Sequence, residues 1–204
     1  MTLEDSTQQT AHRKLFLFCL LLADCWVLIG GCGYTTRPGL AAHLRTVFVK
    51  PFVNQIDLTQ LTTDYQRFPV YRPGMESEIT SAVIDRFQFT GILRPARAGQ
   101  ADTRLEGELV EFRRDALRFN AAQQVEEWRL SVVVNVRLYD LTTHPADGGT
   151  PPEGGELPLW EEERFTGDTT YFELGANAES ESTARDRAIR DLARRIVERT
   201  VEDW

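Results

Sequence analysis

The sequence predicts an α+β fold, with two helices packed on one face of a four-stranded mixed sheet in the order β-α-β-β-β-α. Three observations predict it. Apolar residues alternate strictly along Trp128, Leu130, Val132, Val134, Val136 and Leu138, the two-residue period of a half-buried strand. Two further segments carry helical stripes instead: Met75, Ile79, Val83 and Phe87 in one, Ala184, Ala188, Ile189, Leu192, Ile196 and Val197 in the other. The order of these patterns along the chain, strands gathered between two helices, is that of a sheet covered on one side.

Each element has its own justification. Thr46–Phe52 reads as the first strand from its β-branched and aromatic content, with Pro51 near the end where a missing donor matters least. Residues 54–72 are polar and aperiodic, a long surface loop. Pro73-Gly74 opens the first helix, Glu76 and Glu78 sit at its positive end, and Gly91 stops it. In the next strand Leu105 and Leu109 alternate with Arg104, Glu106 and Glu108, after which Val110 and Phe112 shift the phase. A β-bulge near Leu109-Val110 accounts for the slip. The strand from Glu126 to Tyr139 then has antiparallel neighbours at residues 103–119 and 159–171. Thr142–Pro158 is a Gly- and Pro-rich hairpin loop. The closing helix, about 178–201, starts with Glu179 and Glu181 and carries Arg194, Arg195 and Arg199 towards its negative end. The first two strands are expected to be parallel through the first helix, and the sheet face away from the helices to be bare.

Composition narrows the function. The chain has 204 residues and a net charge of -8, which as a whole repels nucleic acid and anionic membrane surfaces; no nucleic-acid partner is expected. Three Cys and three His leave little material for a metal cage or a His-based triad. His43 and His144 have no phosphate cradle, nucleophile elbow or zinc spacing near them, and Glu161, Glu162 and Glu163 read as a solvated charge run. No catalytic residue, metal or cofactor is assigned.

The N-terminus reads as an address. His12-Arg13-Lys14 precedes the apolar run Leu15–Gly31, which is interrupted by Asp24 and shorter than the roughly 20 apolar residues of a spanning helix. Leu28-Ile29-Gly30-Gly31-Cys32 resembles a bacterial lipobox. The resemblance implies that residues 1–31 are removed and that Cys32 carries N-acyl and S-diacylglycerol lipid. Gly33, not Asp, follows the cysteine, which implies sorting to the outer membrane in many Gram-negative bacteria. Cys19 and Cys25 leave with the signal, so the mature chain has neither free thiol nor disulfide. Residues 32–45 form the lipidated start and tether, and 46–204 a single domain.

Several ordered motifs then resemble the LptE family, the outer-membrane lipoproteins of lipopolysaccharide assembly. They are Cys32-Gly33-Tyr34; Pro51-Phe52-Val53-Asn54; Tyr71-Arg72-Pro73-Gly74-Met75-Glu76 leading to Thr80 and Phe87; Ala101-Asp102 with Leu105 and Gly107; Val134-Asn135-Val136-Arg137-Leu138-Tyr139-Asp140; Leu159-Trp160-Glu161; and Ala188-Ile189, Leu192-Ala193, Ile196-Val197 and Trp204. The long Asn54-to-Pro73 link and the Thr142–Pro158 insertion depart from the family pattern. The resemblance implies a non-enzymatic protein, lipid-anchored at the periplasmic face of the outer membrane. It would complex with and plug an LptD-like β-barrel, aid its assembly and bind lipopolysaccharide. A runner-up of another class is an accessory lipoprotein for peptidoglycan hydrolysis or secretion.

Two surfaces are candidates for that work. A polar sheet face suits a water-filled barrel lumen, although plain solvation of an antiparallel sheet gives the same pattern. For a phosphorylated lipid, arginine forks beside apolar residues are the needed chemistry. Arg113, Arg114 and Arg118, interleaved with Phe112, Leu117 and Phe119, form the densest such cluster; Arg129 and Arg137 are weaker candidates. Pairing with Asp115, Glu126 and Glu127 across the hairpin would equally account for the arginines.

Overall fold

The structure is a computed structural model that describes residue 41 and residues 43–56, 72–142 and 157–201. The lipobox, including Cys32, and the greater part of both long loops, with His144, lie outside the described residues. The elements run β1 (Thr46–Val49), β2 (Val53–Asn54), α1 (Met75–Thr90), β3 (Arg94–Pro95), β4 (Thr103–Phe119), β5 (Val125–Asp140), β6 (Trp160–Phe172) and α2 (Glu181–Val201). Two helices and a mixed sheet are present as expected. The sheet is wider than four strands, ordered β3-β1-β4-β5-β6, with β2 pairing separately with β4. The extra strands β2 and β3 are two residues each.

β1 runs parallel to both neighbours, Val47 lying opposite Thr103 of β4 and Pro95 of β3. The antiparallel strands β4, β5 and β6 form the bulk of the sheet. The expected bulge is present, as a register shift between Leu109 and Glu111. A second irregularity, between Val134 and Val136 of β5, is accommodated on β6 by Arg164 at φ 53, whose N–H donates to the Asn135 side-chain oxygen at 2.9 Å.

The helices form where the sequence places them. Gly74 (φ 100) starts α1 in a left-handed conformation that non-glycine residues rarely adopt, and Gly91 (φ 66) ends it by returning its N–H to the Phe87 carbonyl at 3.0 Å. Met75, Ile79, Val83 and Phe87 are all buried. They join the even-numbered residues Trp128 to Leu138 of β5 and the Ala184–Val197 stripe of α2 in one core. Two glycines permit this approach. A Cβ on Gly107 would lie 2.0 Å from the Phe52 ring, and one on Gly167 would lie 2.4 Å from the Leu192 Cβ and 2.5 Å from its backbone. Thr80 ties α1 to the segment between β1 and β2, accepting from the Phe52 N–H at 3.0 Å while donating to the Glu76 carbonyl.

Candidate interaction face

The side of the sheet away from the helices is built from the residues that alternate with the core. On β5 these are Glu127, Arg129, Ser131, Val133, Asn135, Arg137 and Tyr139. They meet Glu108, Glu111, Arg113 and Asp115 of β4, and Glu161, Thr166 and Asp168 of β6. The face is not bare: Ser131 and Val133 are each only 1% exposed. Ser131 lies between Arg113 and Asp168, and Val133 between Glu111 and Thr166, so long charged side chains roof the middle of the face with their stems.

Those charges are matched among themselves. Arg113 donates to Asp115 at 2.8 Å and reaches Glu111 at 3.4 Å; Glu111 also accepts from Arg164. Arg137 bridges two strands, donating to Glu161 of β6 at 2.5 Å and lying 3.6 Å from Glu108 of β4. Arg118 lies 3.5 Å from Glu127 and over the Phe172 ring. Lys50 and Arg104 converge on Glu106. The Glu161 bond raises the Arg137 pKa above the ordinary guanidinium value. Burial works against the charge on Arg113, but Asp115 and Glu111 outweigh it, and its pKa is raised as well.

The five candidate arginines divide between the two sides of the sheet. Arg113, Arg118, Arg129 and Arg137 stand on the polar face, opposite Ser131, Glu127, Asp115 and Glu106 respectively. Arg114 stands opposite Leu130, a core residue, and therefore on the helix side. There its guanidinium lies 4.2 Å from the Trp128 ring centre and donates to Glu181, at the start of α2, at 3.1 Å. The adjacent Trp128 indole N–H donates to Glu173 at 2.6 Å. Arg113 and Arg114 thus do not converge, and two of the three strongest candidates, Arg113 and Arg118, have carboxylate partners on their own face. Arg129 is exposed. Glu161 and Glu162 also separate, the first to Arg137 and the second to Arg199 of α2 at 3.3 Å.

One cluster joins residues that the sequence presents only as parts of separate motifs, Asp102 and Asp140. Where the chain enters β1, the Asp102 carboxylate accepts from the Arg45 N–H at 2.9 Å, the Thr46 N–H at 3.0 Å and the Thr46 hydroxyl at 2.9 Å. The Asp102 N–H returns a bond to that hydroxyl. Beside it His43 lies 3.6 Å from Asp140, whose carboxylate also accepts from the Thr142 N–H and hydroxyl. The Arg45 N–H, then the Thr46 groups, hold the Asp102 pKa below its ordinary value. For Asp140 burial acts upward, but the Thr142 bonds and His43 outweigh it and the pKa is lowered. Among the described residues no group of three or more His, Cys, Asp or Glu side chains is placed to hold a metal ion, and no helix is long and apolar enough to cross a membrane.

The family description "LptE: Lipopolysaccharide-assembly" matches residues 44–200, the described domain almost from end to end. The chain belongs to the LptE family. That makes it a member of a lipoprotein family of lipopolysaccharide assembly, and a non-enzymatic one. Solved structures similar to this LptE-family chain include protein XCC0632 from Xanthomonas campestris, 13% identical over 81% of this chain and 87% of that one, with a TM-score of 0.46. Lipoprotein B from Nitrosomonas europaea is 16% identical over 85% and 94%, with a TM-score of 0.43. The rare lipoprotein B from Shewanella oneidensis is 12% identical over 75% and 92%, with a TM-score of 0.39. No curated protein sequence matches the chain.

Proposed function

We propose that this LptE-family chain is anchored by lipid on Cys32 at the periplasmic face of the outer membrane. There it complexes with and plugs an LptD-like barrel, aids assembly of that barrel, and binds lipopolysaccharide during delivery to the cell surface. The family match over residues 44–200 carries the reading.

The polar face supports the plugging role in physical terms. A barrel lumen is lined with polar side chains, so a plug gains little from apolar area and much from ion pairs that can be exchanged. A face whose charges already neutralise one another keeps both partners of each pair available to a lumen wall. For lipopolysaccharide, Arg113, Arg118, Arg129 and Arg137 share that face, and Arg118 stands beside the exposed Leu117 and Phe119. Arginine forks beside apolar side chains match a phosphorylated lipid. Arg114 is left to hold α2.

Affinity capture of the tagged chain from outer membrane in mild detergent tests the assembly role; an LptD-like barrel protein is the expected companion, and its complete absence overturns the reading. Changing Arg113, Arg118, Arg129 and Arg137 together to Glu is expected to weaken lipopolysaccharide binding at least tenfold. Unchanged affinity removes the arginine assignment while leaving the assembly role standing.

A further inference from the structure

β6 is thirteen residues long, and among the described residues no strand pairs with its outer side. An edge of that length is a template for another strand, and proteins cover or disrupt such edges. Here the covering is done by side chains of a helix. Arg187 donates to the Thr170 carbonyl at 2.8 Å, the Asp168 N–H donates to the Asp191 carboxylate at 3.2 Å, and Arg195 donates to the Thr166 carbonyl at 2.6 Å. The series continues at both ends. The Glu179 N–H donates to the Phe172 carbonyl at 2.9 Å, and Arg199 reaches the Glu162 carboxylate.

The spacing is regular and has a geometric cause. Thr170, Asp168 and Thr166 are alternate residues, so their backbone groups point to the same side of the strand; two residues advance about 6.6 Å. Arg187, Asp191 and Arg195 are four apart on α2, and four helical residues advance about 6 Å. A helix lying antiparallel to the edge therefore presents one polar side chain to each outward residue in turn. Gly167 lets α2 come close enough, because a side chain there would strike the Leu192 backbone.

We propose that α2 acts as a surrogate strand that seals the β6 edge, and that removing its three contacts opens the edge to antiparallel pairing with β6 of a second copy of this chain. A copy of the same edge is complementary by construction, since each outward residue offers one donor and one acceptor and a two-fold axis matches them. The segment Phe165–Phe172 is also rich in aromatic residues and threonine, the composition that favours strand pairing.

The full chain in mild detergent, carrying Arg187→Ala, Asp191→Ala and Arg195→Ala together, tests the proposal by sedimentation velocity. The expected result is a species of twice the protein mass of the unaltered chain. Adding Asp168→Pro, which removes an outward donor without touching the β5 ladder, is expected to abolish the doubling. A folded triple variant whose mass is unchanged overturns the proposal, and so does a doubling that survives Asp168→Pro. If the triple variant fails to fold, hydrogen exchange decides: the Asp168 amide is expected to exchange at least tenfold faster in Asp191→Ala than in the unaltered chain. Equal rates there overturn the proposal.

Discussion

The two faces of β5 are made from alternate residues of one strand and are specified by different physics. On the helix side, Leu130, Val132, Val134, Val136 and Leu138 are completely buried, and shape decides what fits. On the other side, Arg129 and Arg137 share a surface with Glu127, and apart from the buried Ser131 and Val133 its residues could be exchanged for other polar ones without leaving a cavity. Each kind of substitution should therefore register in its own way: volume changes on the helix side should cost stability, while charge changes on the polar side should cost partners.

The largest effect expected is Phe87→Ala. It empties a fully buried site in α1, and denaturant unfolding should show a loss of about 3–5 kcal/mol. Gly167→Ala comes next, because the added methyl meets the Leu192 backbone and not a pliable side chain; about 1–3 kcal/mol is expected from overpacking, with α2 displaced. Asp102→Asn lies lower, at about 1 kcal/mol, the scale of a carboxylate that caps backbone donors. Arg137→Ala should cost less than about 1 kcal/mol, since exposed ion pairs contribute little. If Arg137→Ala proves as damaging as Phe87→Ala, the division between the faces fails.

Acid sharpens the same contrast. Asp102 and Asp140 both have lowered pKa values, so each binds fewer protons in the folded than in the unfolded chain. The stability they contribute is complete above the ordinary carboxylate value of 3.8 and is lost as pH falls through the lowered values. Melting temperature followed from pH 5 down to pH 2 should therefore decline, and the decline should be shallower in Asp102→Asn.

Much of this was legible in the residues. The stripes of α1 and α2, the alternation along β5 and the phase slip at Leu109 are periodic signals, and periodicity survives translation into structure. β2 and β3 were not legible, because two residues carry no period; pairing with longer neighbours defines them. The position of Arg114 follows from the bulge, since one extra residue exchanges the faces of the residues after it, until a second register shift between Ala116 and Arg118 returns Arg118 to the polar face. Arg113, Arg114 and Arg118 are close in sequence but do not form a single cluster, because adjacent strand residues point to opposite faces. The seal between α2 and β6 joins side chains to backbone groups 17 to 29 residues away, and no local pattern encodes it.

The Asp102 cluster has a mechanical consequence. β1 is held between two parallel neighbours at the point where the chain passes from its N-terminal segment into the sheet, and Asp102 pins its first residues. A force applied along the axis of β1 from its N-terminal end would load those bonds in shear, all at once, and not peel them apart singly. The sheet would then bear tension along β1 without surrendering that strand.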